Sequence, residues 1–207
     1  MKFDFKKEDK AFYPTITTPT IVDVPTMSFL VTDGTGNPNT SAAYAAAVEM
    51  LFRLSYAIKM ANKHVLDYIA APLEGLWRGT QIGDAGFNKD QFIWTLMIRQ
   101  PSFVTSQEFK AAQGALTKHK PKRDVTSIRL ERLTEGRCVQ ALHIGPYDDE
   151  PATIAAMKQF AAQHGYEADL DGVRRHHEIY LSDPRKTVPE KLKTVIRQPV
   201  KLLVPQG

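Results

Sequence analysis

The 207-residue sequence predicts an α+β fold built from two strand-helix-strand-strand modules, related by a pseudo-two-fold axis around a central cleft. Three observations predict it. The tetrapeptide Ile98-Arg99-Gln100-Pro101 recurs as Ile196-Arg197-Gln198-Pro199, 98 residues later. Each copy is expected to end the last strand of a unit in which β-branched and aromatic runs surround one stretch of helical periodicity. A sheet covered by a helix on one face only would keep an exposed edge and an under-buried second face, so the modules are expected side by side with a concavity between them.

Residues 1–19 read as an N-terminal extension and residues 20–203 as a single domain. Repeat one covers about 20–101. Within it, Val24 to Thr32 is a strand entering the turn formers Asp33-Gly34-Thr35-Gly36-Asn37-Pro38. Thr40 and Ser41 can cap a long helix whose Tyr44, Val48, Leu51, Phe52, Ser55 and Ile58 make one stripe and which stops before Pro72. Leu73 to Gln81 and Phe92 to Arg99 then form a hairpin around the turn-rich GDAGFNKD. A connecting helix follows over about 105–118, with Phe109, Ala112 and Leu116 on one face.

Repeat two covers about 126–203. Ile128 to Leu133 and Arg137 to Ile144 are expected to pair around Thr134-Glu135-Gly136 and to end in Gly145-Pro146-Tyr147. The next helix begins near Pro151, turns Ile154, Met157 and Ala161 inward, and ends at Gly165. Val173 to Leu181 and Lys193 to Val200 make the closing hairpin, separated by Ser182-Asp183-Pro184 and a helical stretch at Pro189-Glu190.

Composition narrows the functional classes. The N-terminal MKFDFKKEDK alternates charges with single aromatics, so it reads neither as a signal peptide nor as a membrane anchor, and a cytoplasmic protein without a membrane partner is expected. The single cysteine, Cys138, excludes an internal disulfide and a multi-cysteine metal site; in an apolar run it reads as a small core residue. Net charge is only +4, and the one dense basic run, Lys118 to Arg123, reads as a solvated loop. Without zinc-finger spacing, a helix-turn-helix pattern or an RNA-binding aromatic signature, nucleic-acid binding is a minor expectation. Oligomeric state is left open, a homo-oligomer included.

The chemistry concentrates on Arg175-His176-His177-Glu178-Ile179-Tyr180-Leu181. On a strand, His177, Ile179 and Leu181 share one face, expected beneath a helix, while His176, Glu178 and Tyr180 share the other, expected to face the cleft. A carboxylate beside a phenol there can act as counter-ion to a cation or, partly desolvated, as a base; a solvated sheet face is the competing reading. Glu74 and Trp77 make a comparable acid and aromatic combination in repeat one, with Trp94 on the partner strand. Aromatic faces would take flat apolar molecules by stacking and cations through the ring quadrupole. No metal and no organic cofactor is expected: His176 and His177 point to opposite faces, and Asp33-Gly34-Thr35-Gly36 lacks the third glycine of a phosphate cradle. No serine occupies a nucleophile elbow.

The segment His143-Ile144-Gly145-Pro146-Tyr147-Asp148, followed by Glu178-Ile179-Tyr180-Leu181-Ser182-Asp183-Pro184, resembles the GyrI-like family of small-molecule-binding proteins. The order of elements agrees from roughly Thr20 to Leu203. PLEGLW at 72 to 77, FIWTLMIRQP at 92 to 101 and LSDPRKTVPEKLKTVIRQP at 181 to 199 are similar to its stand-alone branch. The resemblance implies a pair of SH2-motif modules and a cleft for bulky aromatic or cationic compounds. That branch is similar to cyclopropanoid cyclohydrolases, which open strained rings with water. Glu178 would then be the general base or the water-orienting carboxylate, Tyr147 and Tyr180 would line the pocket, and Trp77 and Trp94 would be its aromatic walls; Glu74 and His176 are, from the strand patterns themselves, further ligand-binding candidates. Arg78 stands where a further aromatic would complete a cage. A non-catalytic sequestering protein and a gyrase-interacting module are the alternatives.

Overall fold

The protein is described from a computed structural model that covers residues 2–78, 88–119, 125–171 and 174–203. In chain order its elements are α1 (Phe5–Glu8), β1 (Thr20–Val24), β2 (Met27–Thr35), α2 (Ala42–Ala61), β3 (Leu73–Arg78), β4 (Ile93–Gln100), α3 (Ser106–His119), β5 (Arg129–Leu133), β6 (Gly136–Ile144), α4 (Glu150–Gln163), β7 (Tyr166–Ala168), β8 (His176–Tyr180) and β9 (Lys193–Leu202). Short 3₁₀ turns at Tyr147–Asp149 and Pro189–Lys191 lead into α4 and β9. The expected residues Gly79 to Gln81, most of the GDAGFNKD turn, Lys120 to Arg123 of the basic run, and Val173 lie outside the described residues.

The chain divides into two compact α+β units, one of Met1–Glu8 with Met27–Leu133, the other of Asp9–Thr26 with Thr134–Gly207. In the first, an antiparallel sheet runs β3-β4-β2-β5. Ser41 caps α2 by accepting from the Tyr44 N–H, and the buried stripe of that helix is Leu51, Leu54, Ser55 and Ile58. Leu54 thus replaces Tyr44, Val48 and Phe52, which are only partly covered. The Gln100 amide donates to the Ser55 hydroxyl at 3.2 Å, so α2 lies on the sheet face that Gln100 shares with Ile98, Leu96 and Trp94.

The Asp33-Gly34-Thr35 cluster does not form a turn but continues β2 opposite Thr95, Trp94 and Ile93. Two contacts hold it extended. The Trp94 ring occupies the space above Gly34, where an added Cβ would stand 2.0 Å from the ring, so only glycine fits. The Thr95 hydroxyl donates to Asp33 at 2.5 Å.

The second unit is an antiparallel sheet in the order β1-β6-β9-β8, with β7 added along β9. The expected β5–β6 hairpin is absent: β5 pairs with β2 and β6 with β1. Between these strands Glu135 is 5% exposed and paired with Arg197 rather than turned to solvent as in a hairpin loop. The second Ile-Arg-Gln-Pro copy also departs from expectation, since it sits inside β9, which continues to Leu202. Pro199 is tolerated there because its carbonyl, accepting from the Asp169 N–H, shows that its missing N–H faces the break between Arg197, which pairs with β8, and Val200, which pairs with β7.

Register decides which face the helix covers. Ile196 stands opposite both Ala141 and Glu178, and it packs with Val139, Met157 and Ala161. Therefore α4 lies on the face that carries His176, Glu178 and Tyr180, and the expectation that the helix covers His177 and Ile179 is corrected. That other face, which bears Gln140, His177 and Arg197, meets the N-terminal segment: Gln140 donates to the Ala11 carbonyl at 2.6 Å and Arg197 to the Phe12 carbonyl at 2.8 Å. Cys138 is buried, and burial pushes its thiol up to about 12, as an inert core residue requires.

Candidate functional site

The site of the second unit is assembled from β8 and the start of α4. Alternation along β8 places His176, Glu178 and Tyr180 on one face, and the flanking contacts fix each of them. The Glu178 carboxylate, 14% exposed, accepts from the Tyr180 hydroxyl at 2.7 Å on one oxygen and lies 3.1 Å from His176 Nε2 on the other. On the far side of the imidazole, the Gln198 amide nitrogen lies 3.2 Å from Nδ1. A donor there makes Nδ1 the acceptor and puts the ring proton on Nε2, aimed at Glu178. The Tyr147 ring meets the Tyr180 ring edge to face, centroids 5.9 Å apart.

A second carboxyl enters from the helix. The inward stripe of α4 runs through Met157 and Ala161, and stepping back one further turn from Ile154 brings Glu150, its first residue, onto the same side. Its side chain is 8% exposed, Oε2 lies 4.0 Å from His176 Nε2, and Oε1 has no hydrogen-bond partner among the described residues. Burial first, then the charges of Glu178 and Asp148, push this carboxyl up to about 9, overriding the helix N-terminus that would favour its charged form. Tyr147 is likewise pushed up to about 12 by burial and by Glu178, Glu150 and Asp183. Residue-type and motif reading overlooked Glu150; the signal that finds it is the α4 periodicity extended backwards to a buried position occupied by an acid.

Among the described residues, Glu150, His176 and Glu178 present one ligand atom each within 4.8 Å of one another, close enough to share a cation. In the arrangement described, His176 Nε2 lies 3.1 Å from Glu178 Oε1 and Nδ1 lies 3.2 Å from the Gln198 amide nitrogen.

The opposite face of β8 meets a different carboxylate, from the segment between β5 and β6. Glu135 lies 2.9 Å from His177 Nδ1 and 2.8 Å from Arg197 Nη1, with His177 wholly buried. Burial pushes its carboxyl up, but His177 and Arg197 more than offset that and hold it at about 2.

Of the residues read from the first unit, Trp77 and Trp94 face each other across β3 and β4 on the side that α2 covers. Tyr44 stacks on Trp77 with centroids 6.1 Å apart and meets Trp94 edge-on at 5.4 Å, while Phe92 meets Trp77 at 5.5 Å. Trp94 is 1% exposed and Trp77 half-buried. Glu74 is buried on the other face of β3, since three positions along a strand reverse the side. The structure therefore groups Tyr147, His176, Glu178 and Tyr180 in one unit and Trp77 with Trp94 in the other, and it separates Glu74 from the tryptophans.

Two crystal structures from Listeria innocua match nearly the whole chain. One, a hydrolase, is 40% identical with a TM-score of 0.88, and the other, an uncharacterized conserved protein, is 41% identical with a TM-score of 0.90; each match covers 97% of this chain and 100% of the other. The EcmrR C-terminal domain, 12% identical with a TM-score of 0.54 over 89% of this chain and 98% of its own, shares the fold. No curated protein matches. The profile of the GyrI-like small molecule binding domain matches residues 17–201, and with that coverage the chain belongs to the GyrI-like family.

Proposed function

We propose that this protein binds bulky aromatic or cationic small molecules and hydrolyses reactive cyclopropanoid compounds, with Glu178 as general base, as a cofactor-free detoxifying enzyme. The observation that carries this reading is the mounting of Glu178, a largely buried carboxylate oriented at both oxygens by Tyr180 and His176 beside the Tyr147 ring. The hydrolase from Listeria innocua, alike over the whole chain, supports the reaction type. A cyclopropane conjugated to a ring carbonyl is already electrophilic, so a positioned water and a fixed carboxylate supply what addition needs. His176 and Tyr180 act as positioning residues and Tyr147 as an aromatic contact. In the first unit the Trp77 and Trp94 pair is read as the aromatic surface, with Glu74 behind it as support. The two units are read as copies of one SH2-motif module, because Ile98 and Gln100 are buried as Ile196 and Gln198 are.

The test is Glu178→Gln. Turnover of a cyclopropanoid is expected to fall by about 10²- to 10⁴-fold, while a neutral aromatic analogue still binds by calorimetry. Single-turnover hydrolysis at the wild-type rate would remove the base assignment. If the wild-type protein binds the cyclopropanoid without converting it, the sequestering alternative takes its place.

A further inference from the structure

We propose that Glu150 is a second catalytic residue beside Glu178, the donor that protonates the carbonyl oxygen as the substrate ring opens. The inference rests on the reading of Glu178 as the water-activating base and adds what that reading lacks, a proton for the oxygen that leaves the ring system.

The two carboxyls are divided by their surroundings. Glu178 accepts hydrogen bonds at both oxygens, from His176 Nε2 and the Tyr180 hydroxyl, which is the arrangement of an acceptor. Among the described residues Glu150 accepts none at Oε1; it is 6% exposed and has its ligand atom within 4.8 Å of those of His176 and Glu178. A buried carboxyl that served only the helix end would have a capping or ionic partner. Among the described residues, the groups placed against it are His176 and Glu178 from β8, and Asp148 and Tyr147 from its own turn. Arginine and lysine are missing from that set, and two carboxyls this close resist carrying charge together. The elevated proton affinity of Glu150 agrees with the geometry.

The chemistry balances with water alone. Water forms a bond to the cyclopropane methylene as Glu178 takes its proton, and the ring C–C bond breaks. Its electron pair passes through the conjugated system to the carbonyl oxygen, which takes the Glu150 proton and becomes a hydroxyl. The proton gained by Glu178 then returns to Glu150 through the intervening His176 or solvent. No oxidant or reductant is involved.

The test uses two aryl-extended spirocyclopropyl dienones, one unsubstituted and one bearing a nitro group that stabilises the product oxyanion. Glu150→Gln is expected to slow the unsubstituted dienone by about 10²-fold or more and the nitro compound by less than about tenfold, with loss of the high-pH limb of the wild-type kcat/KM profile. Glu150→Asp, with a shorter acid, is expected to restore part of that limb. Equal slowing of both dienones by Glu150→Gln, or slowing of neither, overturns the donor role while leaving Glu178 as base. Unchanged rates in Glu178→Gln overturn the base reading, and the leaving-group contrast in Glu150→Gln still decides the donor. Absence of wild-type turnover on both dienones overturns the two together.

Discussion

Strand β8 carries two adjacent histidines, and each faces a buried carboxyl in the opposite condition. Behind His177, Glu135 is enclosed by His177 and Arg197 and held at about 2. In front of His176, Glu150 is pushed up to about 9 by burial and then by its neighbours Glu178 and Asp148. Both acids are more than nine-tenths buried, so burial cannot be what separates them. The difference is the company: an arginine on one face of the strand, a second carboxyl on the other. On one face the acid pairs with the arginine that holds the N-terminal segment to the sheet; on the other it lies beside a second carboxyl.

The comparison can be broken most severely at Glu135. Glu135→Ala leaves the Arg197 guanidinium, 3% exposed, without its buried counter-charge. A loss of about 3–5 kcal/mol in urea unfolding is expected. Glu150→Gln removes no ionic partner and is expected to change stability at pH 7 by less than about 1 kcal/mol, or to raise it. Equal losses in the two variants would erase the distinction.

The pH dependence of stability should separate the acids in sign. Glu135, at about 2 folded against 4.5 for an ordinary glutamate, contributes stability that is complete above about 4.5 and lost as pH falls toward 2. Glu150 does the reverse: at about 9 against 4.5, its contribution is complete below about 4.5 and lost as pH rises toward 9. Chemical denaturation from pH 3 to 9 is therefore expected to show an acid limb that Glu135→Gln flattens and an alkaline limb that Glu150→Gln flattens. An alkaline limb unaltered by Glu150→Gln would contradict the second assignment.

A smaller effect is expected at Tyr180. Its hydroxyl donates a single hydrogen bond to Glu178, so Tyr180→Phe should cost about 1 kcal/mol of positioning, a change in turnover of about tenfold or less, with folding intact. A loss as large as that of Glu178→Gln would make the phenol itself a reacting group.

The sequence exposed this contrast only in part. Alternation in His176-His177-Glu178-Ile179-Tyr180 separated the two faces, and the stripe of Ile154, Met157 and Ala161 located α4. What it could not supply was the helix side, because that depends on Ile196 standing opposite Glu178, a cross-strand register that local periodicity does not encode. The same limit hid the pairing of β1 with β6 and of β5 with β2, since sequence neighbours are only the commonest partners in a sheet. Asp33-Gly34-Thr35 misled for a different reason: glycine marks a turn and a close approach with one letter, and here Trp94 makes the approach. Glu150 is legible in the sequence as an acid one helical turn before Ile154, on the same stripe as Met157 and Ala161.

The most direct measurement is a carboxyl-carbon NMR titration of glutamate-labelled protein, assigned with Glu135→Gln and Glu150→Gln. Glu135 is predicted to titrate near 2 and Glu150 near 9, on either side of the ordinary value of 4.5. A Glu150 resonance that titrates with the exposed glutamates around 4.5 would contradict the account.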